Sequence, residues 1–340
     1  MGLIHITRDI SKVSFIGLAK NTGKTVALQK LLDEISASGA VCGLTSIGHD
    51  GEEFDQINIL IKKPRIYVSE GFFVATTDKL FALGGAQFKI VRTTDFNTPL
   101  GRVQIGRVEK AGLIEIAGPS TSSGVSYVTD IMLDMGAGKV LIDGAINRKA
   151  ISSPEYTDGL IIATGAALDK DQDRVVNETV EAVNHIRLPH YKAGILTDNL
   201  NGVVFISRDG RIRHTQESIM ADKANFFKAV ADRETESIIS FKPVVESVIN
   251  QMVEIISKRK RRIVLVVSDY TRLFPGNRSM SFYEKKGIDI RVLFPSNLLA
   301  LTLNPVAPLS HFFDSDSFQH AIKQKVQGLP VYDVLSPQYQ

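Results

Sequence analysis

The residues best suited to chemistry fall in one stretch, GLAKNTGKTV, from Gly17 to Val26. Phosphates bind where several backbone N–H groups converge beside a cation, and a glycine-rich turn between a buried strand and a helix N-terminus supplies both. Here Gly17, Lys20, Asn21, Thr22 and Gly23 form the turn. Lys24 is the cation, Thr25 offers a hydroxyl to Mg²⁺, and Val26 opens the helix. The usual spacing is G-x-x-x-x-G-K-[ST]. In this chain five residues, not four, separate Gly17 from Gly23. The last turn does the gripping, so the longer approach is tolerable. The alternative is an ordinary strand-to-helix turn that happens to contain Gly-Lys-Thr.

A magnesium nucleotide also needs a carboxylate at the end of a neighbouring strand. KVLIDGA provides Asp143, positioned to hold the metal or orient a nucleophile. An Asp-Gly turn after a strand is the competing explanation. TSIGHDGEEFD crowds Asp50, Glu52 and Glu53 beside His49 after another apolar run. In a parallel sheet that run would end on the same edge as the phosphate loop. Asp50 would then share the metal, and Asp50 or Glu52 would orient water; a solvated acidic turn is the alternative. Glu115 stands within an apolar run, where an ionised carboxylate is costly unless paired. The Gly118-Pro119-Ser120-Thr121-Ser122 turn after it either binds a second anion or caps the next helix. Arg148 reaches a γ-phosphate or covers the sheet. Asp158 caps a strand entrance. Thr164-Gly165-Ala166 either rests a base or ribose or solves a packing problem.

These groups need elements to position them. KVSFIGL (12–18), AVCGLTSIG (40–48), QFKIVRTT (87–94), RVQIGRV (102–108), AGLIEIAG (111–118), GKVLIDGA (138–145) and TDGLIIATGA (157–166) read as strands. Helical spacing of Val26, Leu28, Leu31, Leu32 and Ile35 predicts a helix over 25–39, with Gly39 as its stop. Further helices are expected at 122–136 and 173–186. Strands alternating with crossover helices predict an α/β fold: a mostly parallel sheet covered by helices on both faces. Residues 66–108 look like a β-rich, antiparallel insertion. After about residue 200 the pattern restarts, with a hairpin at 201–212, a helix at 244–257 and strands at 261–269, 288–294 and 298–305. The expected division is therefore a nucleotide domain at 1–200 and a second α/β domain at 201–340.

The 340-residue length suits two domains, and 44% hydrophobic with 23% charged residues suits a globular core. A formal net charge of +3 gives no reason to expect nucleic acid. The KRKRR run at 258–262 reads as a helix end, where cations are favourable. Asp269, Thr271, Arg272 and Arg278 mark a ligand loop of unknown specificity. One cysteine, Cys42, excludes an internal disulfide and a cysteine metal set. No run of apolar residues is long enough to span a membrane, the start lacks the form of a signal peptide, and a cytoplasmic location is expected.

The loop resembles that of dethiobiotin synthetase and of MobB-type molybdopterin-guanine-dinucleotide proteins. FIGLAKNTGKTVALQKLL and GLTSIGHDGEEFD, taken with VLIDGAINRKA, DGLIIATGAALDKD, LTLNPVAP and GLPVYDVLS, resemble the KamB-like P-loop subunit of the lysine 5,6-aminomutase reactivase. The resemblance implies an ATP-driven factor that exchanges damaged cobalamin in an adenosylcobalamin-dependent aminomutase. It also implies a MutS-like ATPase partner and the P-loop NTPase fold. Lys24, Thr25 and Asp143 carry over as nucleotide and Mg²⁺ residues; nothing after residue 200 carries over with a role. Proteins of this class often pair as homodimers across the nucleotide. The rival readings are a dethiobiotin-synthetase-like small-molecule ligase or kinase, with substrate in the 112–124 turn, and a nucleotide-gated scaffold with little turnover.

Overall fold

The computed structural model describes residues 2–48, 65–144, 150–192, 201–308 and 310–334. The chain forms two compact units. The first comprises Met1–Val180 with Asn297–Gln340, and the second is Glu181–Ser296.

The first unit begins with a short helix α1 (Leu3–Ile6), strand β1 (Lys12–Gly17), helix α2 (Lys24–Ala37) and strand β2 (Cys42–Ser46). There follow β3 (Ile66–Val68), β4 (Phe73–Thr77), α3 (Asp78–Leu83), and the hairpin β5 (Gln87–Thr98) and β6 (Gly101–Lys110). Then come β7 (Gly112–Ile114), α4 (Ser122–Asp134), β8 (Lys139–Gly144), β9 (Gly159–Gly165) and α5 (Gln172–Ile186). The second unit contains β10 (Val203–Ser207), β11 (Ile212–Thr215), α6 (Lys223–Ala231), β12 (Thr235–Ser240) and β13 (Val244–Val245). It continues through α7 (Glu246–Arg259), β14 (Ile263–Val267), β15 (Leu273–Phe274), α8 (Met280–Lys285) and β16 (Ile288–Val292). Strands β17 (Leu298–Asn304) and β18 (Val331–Asp333), with helix α9 (Ser315–Lys325) between them, end the chain's described elements.

One sheet of nine strands, ordered β18-β17-β9-β1-β8-β2-β4-β6-β5, organises the first unit. From β18 to β4 every neighbouring pair is parallel, whereas β6 and β5 run antiparallel at the far edge. Of the antiparallel addition expected at 66–108, β5 and β6 form this edge, whereas β4 pairs in parallel with β2 and β3 lies in a separate ribbon with β7. β1 is central, and all of its residues after Lys12 are buried, as a strand covered on both faces requires. Helix α2 packs Ala27, Leu28, Leu31, Leu32 and Ile35 into the same core as Val13, Phe15, Leu44 and Leu141. Each large apolar side chain of that stripe contributes on the order of 1.5–3 kcal/mol. Val26 was expected on the stripe but is 42% exposed. At 100° per residue it stands far round the helix from Leu28.

In the second unit, β10–β11 is the expected hairpin, turning at Asp209-Gly210, where Gly210 has a φ of 81°. The five strands run β11-β10-β12-β14-β16, with β12, β14 and β16 parallel. The 258–262 run ends α7, and Lys260 caps it in the left-handed region.

The expected boundary at 200 is not where the chain divides. Strand β17 returns to the first sheet and pairs with β9, bringing β18 and α9 with it. The apolar run at 298–305 reports a buried strand, not its partner. Residues 111–118 are likewise not one strand. Only Gly112–Ile114 is extended, and it pairs with β3 in a separate ribbon.

Candidate functional site

Parallel strands end on one edge of a sheet, so β1, β8, β2, β9 and β17 deliver Gly17, Asp143, Ser46, Gly165 and Asn304 to the same rim. The Gly17–Val26 loop connects the end of β1 to the start of α2 at that rim. Leu18 is tied down by its N–H, which donates to the Ala163 carbonyl at 2.8 Å.

Beyond Leu18 the loop enters the left-handed region twice before α2 begins. Asn21 has φ 63° and Gly23 has φ 87°, with Thr22 between them. A turn of this kind points successive N–H groups into one hollow. Among the described residues the main-chain N–H groups of Asn21, Thr22, Gly23, Lys24, Thr25 and Val26 have no protein acceptor, and the first one after them, Ala27, donates to Gly23. The first four N–H groups of any helix, from the N-cap on, are free in this way, and Gly23 is the N-cap of α2. The run extends that arrangement backward through Thr22 and Asn21.

The long spacing of the loop has a structural counterpart. Thr22 is buried, and its hydroxyl donates to the Ala19 carbonyl at 3.0 Å. A Cβ at Gly17 would stand 2.7 Å from that hydroxyl oxygen. The inserted length is thus folded inward against a position that only glycine fits. At Gly23 a Cβ would stand 2.9 Å from the Asn304 Cβ, and the positive φ adds backbone strain for any other residue.

Lys24 Nζ donates to Asp143 Oδ1 at 2.5 Å, with each side chain roughly a fifth exposed. Register places Asp143 opposite Phe15 on β1 and Ser46 on β2, so the carboxylate reaches the loop across the first strand gap. Thr25 is half-buried in the first turn of α2, and its hydroxyl has no hydrogen bond among the described residues. Lys20 and Val26 lie on the exposed side. Asn304 is the site residue that sequence reasoning missed. Its amide Nδ2 donates to the Asn21 carbonyl at 3.1 Å, and its Oδ1 accepts from Val306 N–H at 3.1 Å. The signal available was an Asn-Pro pair ending an apolar strand, which is meaningful only once β17 is known to join this sheet.

The remaining candidates divide clearly. Glu115 is paired, with Arg65 Nε at 3.5 Å from its carboxylate, and it is partly exposed. Thr121 caps α4 by accepting from Gly124 N–H at 3.1 Å. Ser46 Oγ accepts from Gly118 N–H, and Gly48 N–H donates to the Pro119 carbonyl. Those groups of the 118–122 turn are committed to structure. Asp158 accepts from Lys12 N–H at 2.8 Å and so caps β1 at the opposite edge. Thr164 is fully buried against Thr179, its hydroxyl 2.7 Å away, and Gly165 is closed off by Asn304. These are packing positions. In the second unit Asp269 and Thr271 form the cap of a 3₁₀ turn, while Arg278 stacks on Phe282 at 4.4 Å. His49, Asp50, Glu52, Glu53 and Arg148 lie outside the described residues.

Among the described residues no three His, Cys, Asp or Glu side chains gather as a metal-holding group, and no helix is long and apolar enough to cross a membrane. Mg²⁺ at phosphate sites takes one or two protein ligands and fills the rest with water and phosphate oxygens. Thr25 and Asp143 fit that role in number and chemistry. No protein-family model matches this chain, and no curated protein or solved structure matches it.

Proposed function

We propose that the first unit is a P-loop nucleoside triphosphatase that binds ATP with Mg²⁺ at residues 17–26. The observation that carries this reading is the run of six unengaged N–H groups, Asn21 to Val26, in the same loop as the Lys24 cation. A triphosphate is the common ligand that can satisfy so many donors and a cation together. Positions 17 and 23 support the reading, because a side chain at either would collide with Thr22 or with Asn304 and force the loop to shift.

In this account Lys24 leaves Asp143 and neutralises the bound phosphates. That frees the Asp143 carboxylate, which with the Thr25 hydroxyl would hold the metal. When bound, Mg²⁺ supplies charge that offsets the negative charge of the transferring phosphoryl group. Asn304 steadies the loop by donating to the Asn21 carbonyl.

The biological role proposed is that of an ATP-driven reactivating factor for an adenosylcobalamin-dependent aminomutase, working with a MutS-like ATPase partner. Its support is the resemblance carried by the phosphate loop and the Asp143 strand. Phosphate release from ATP by the purified chain, with and without an aminomutase holding inactivated cobalamin, tests it. The expected result is Mg²⁺-dependent turnover that rises with the damaged holoenzyme. Stimulation by a small carboxylate or amine instead would favour a ligase or kinase, and absence of turnover would favour a nucleotide-gated scaffold.

A further inference from the structure

Asn201-Gly202 is the one Asn-Gly pair in the chain. In such a pair the glycine's backbone nitrogen can attack the side-chain amide carbon of the asparagine, because glycine has no Cβ to shield that nitrogen. The pair stands at the entry to β10, with Asn201 exposed and Gly202 buried.

Two contacts arm this peptide. Gly202 N–H donates to Asn201 Oδ1 at 2.9 Å, so the side chain is folded back over the nitrogen that would attack it. Reacting groups held together in this way need not lose freedom to find each other. The second contact comes from β11. Register sets His214 opposite Val204, and the His214 ring reaches back until Nε2 stands 2.5 Å from the Asn201 carbonyl oxygen. A carbonyl oxygen only accepts, so Nε2 carries the proton. That carbonyl belongs to the same peptide as the Gly202 nitrogen. When the nitrogen gives up its proton, negative charge spreads onto the Asn201 oxygen, where the His214 N–H meets it. Gly202 itself is held firmly. Its φ is 78°, its carbonyl accepts from Phe241 N–H at 3.0 Å, and a Cβ there would collide with the Thr215 carbonyl.

We propose that Asn201 is a site of self-modification: it deamidates, and His214 speeds the step. The Gly202 nitrogen loses its proton and bonds to Asn201 Cγ. Nδ2 takes up a proton and leaves as ammonia. Water then opens the resulting five-membered imide at either carbonyl, giving aspartate or isoaspartate. Both products place a carboxylate near His214, and the isoaspartyl form also adds a methylene to the backbone where β10 begins. This site is separate from the loop at residues 17–26 and does not depend on the function assigned there.

Peptide mapping by mass spectrometry tests the assignment, on the full chain aged at neutral pH either folded or in concentrated urea. The peptide spanning Asn201 should lose its amide in the folded parent. In folded His214→Ala the loss should be slower by about two- to tenfold, the equivalent of one hydrogen bond. His214 is exposed on an outermost strand, so this variant keeps the core. In urea the two proteins should react at the same rate, because only the fold brings His214 to the Asn201 carbonyl. A folded parent that keeps the amide, or equal rates in the two folded proteins, would overturn the proposal. So would a variant slowed as much in urea as in its fold.

Discussion

Lys24 Nζ stands 2.5 Å from Asp143 Oδ1, so the loop cation and the strand carboxylate neutralise each other across the first gap of the sheet. A bound phosphate must compete with that carboxylate for Lys24, and a metal must compete with Lys24 for the carboxylate. Both exchanges happen together or neither is favourable. The pair is partly exposed, so its own contribution to stability is small, about 0–1 kcal/mol.

The first prediction follows from this exchange. Lys24→Ala should remove turnover by at least about a hundredfold, since loss of a charge on the transferring group costs several kcal/mol of barrier. Its thermal midpoint should change little, because the pair stabilises little. Asp143→Ala should separate the two roles. Without metal, ATP should bind more tightly than in the parent, because Lys24 no longer has a competing carboxylate. With Mg²⁺, the parent should gain affinity and the variant should not. Equilibrium dialysis with and without Mg²⁺ checks this, and equal metal dependence in the two proteins would end the exchange argument.

Asn304→Ala addresses the loop's support. The lost hydrogen bond to the Asn21 carbonyl is worth about 0.5–1.5 kcal/mol. Ala retains the Cβ that contacts Gly23, so the sheet edge should stay closed. The expected outcome is ATP affinity weaker by roughly two- to tenfold, with the thermal midpoint shifted by only a few degrees. A variant that binds ATP as the parent does would show that the loop holds its shape unaided.

Much of the rim was legible in advance, for a physical reason. A buried strand, a glycine turn and an amphipathic helix are all local, and their period is written in adjacent residues. Asp143 was legible because three apolar positions, Val140 to Ile142, followed by Asp-Gly mark a strand end. Asn304 was not legible as a site residue, because its role depends on which strand lies beside β9, and pairing partners leave no trace in periodicity. The domain boundary failed for the same reason. The run LLALTLN has the composition of a buried parallel strand in any sheet, and only its register with Leu160 to Gly165 assigns it to the first.

That register makes a prediction about fragments. Residues 1–200 lack β17, β18 and α9, and with them the buried side chains of Leu301, Leu303, Phe318 and Ile322. At about 1.5–3 kcal/mol each, their loss amounts to roughly 6–12 kcal/mol, comparable to the whole stability of a domain. A fragment ending at residue 200 should therefore show no cooperative thermal transition. A chain in which residues 181–296 are replaced by a flexible linker should recover one, because it retains the complete nine-stranded sheet. Circular dichroism melts of the two proteins decide the point. A cooperative melt of the shorter fragment would restore the boundary at 200.

The last prediction concerns the other edge of the sheet. Cys42 is fully buried on β2, and its thiol pKa is pushed up to about 12 from 9.0, chiefly by desolvation. The nearby Lys139 charge opposes that shift without cancelling it. Lys139 is itself shifted down by burial, and its ammonium donates to the Thr7 and Ile10 carbonyls. The two groups give opposite slopes. Above pH 9 the unfolded chain ionises Cys42 while the folded chain does not, so stability falls by up to about 1.4 kcal/mol per pH unit until about 12. Lys139 loses its proton in the folded chain first, so its contribution makes stability rise as pH climbs toward 10.5. Cys42→Ala removes the falling slope, and because the Cys42 charge holds the Lys139 pKa up, its loss leaves Lys139 shifted down at least as far and the rising slope in place. The variant should start about 1 kcal/mol less stable near neutral pH, from the small cavity. Its deficit should then shrink and reverse between pH 9 and 10.5. Urea denaturation of both proteins across that range measures the crossing, and parallel curves would mean that the buried thiol does not resist ionisation in the folded chain.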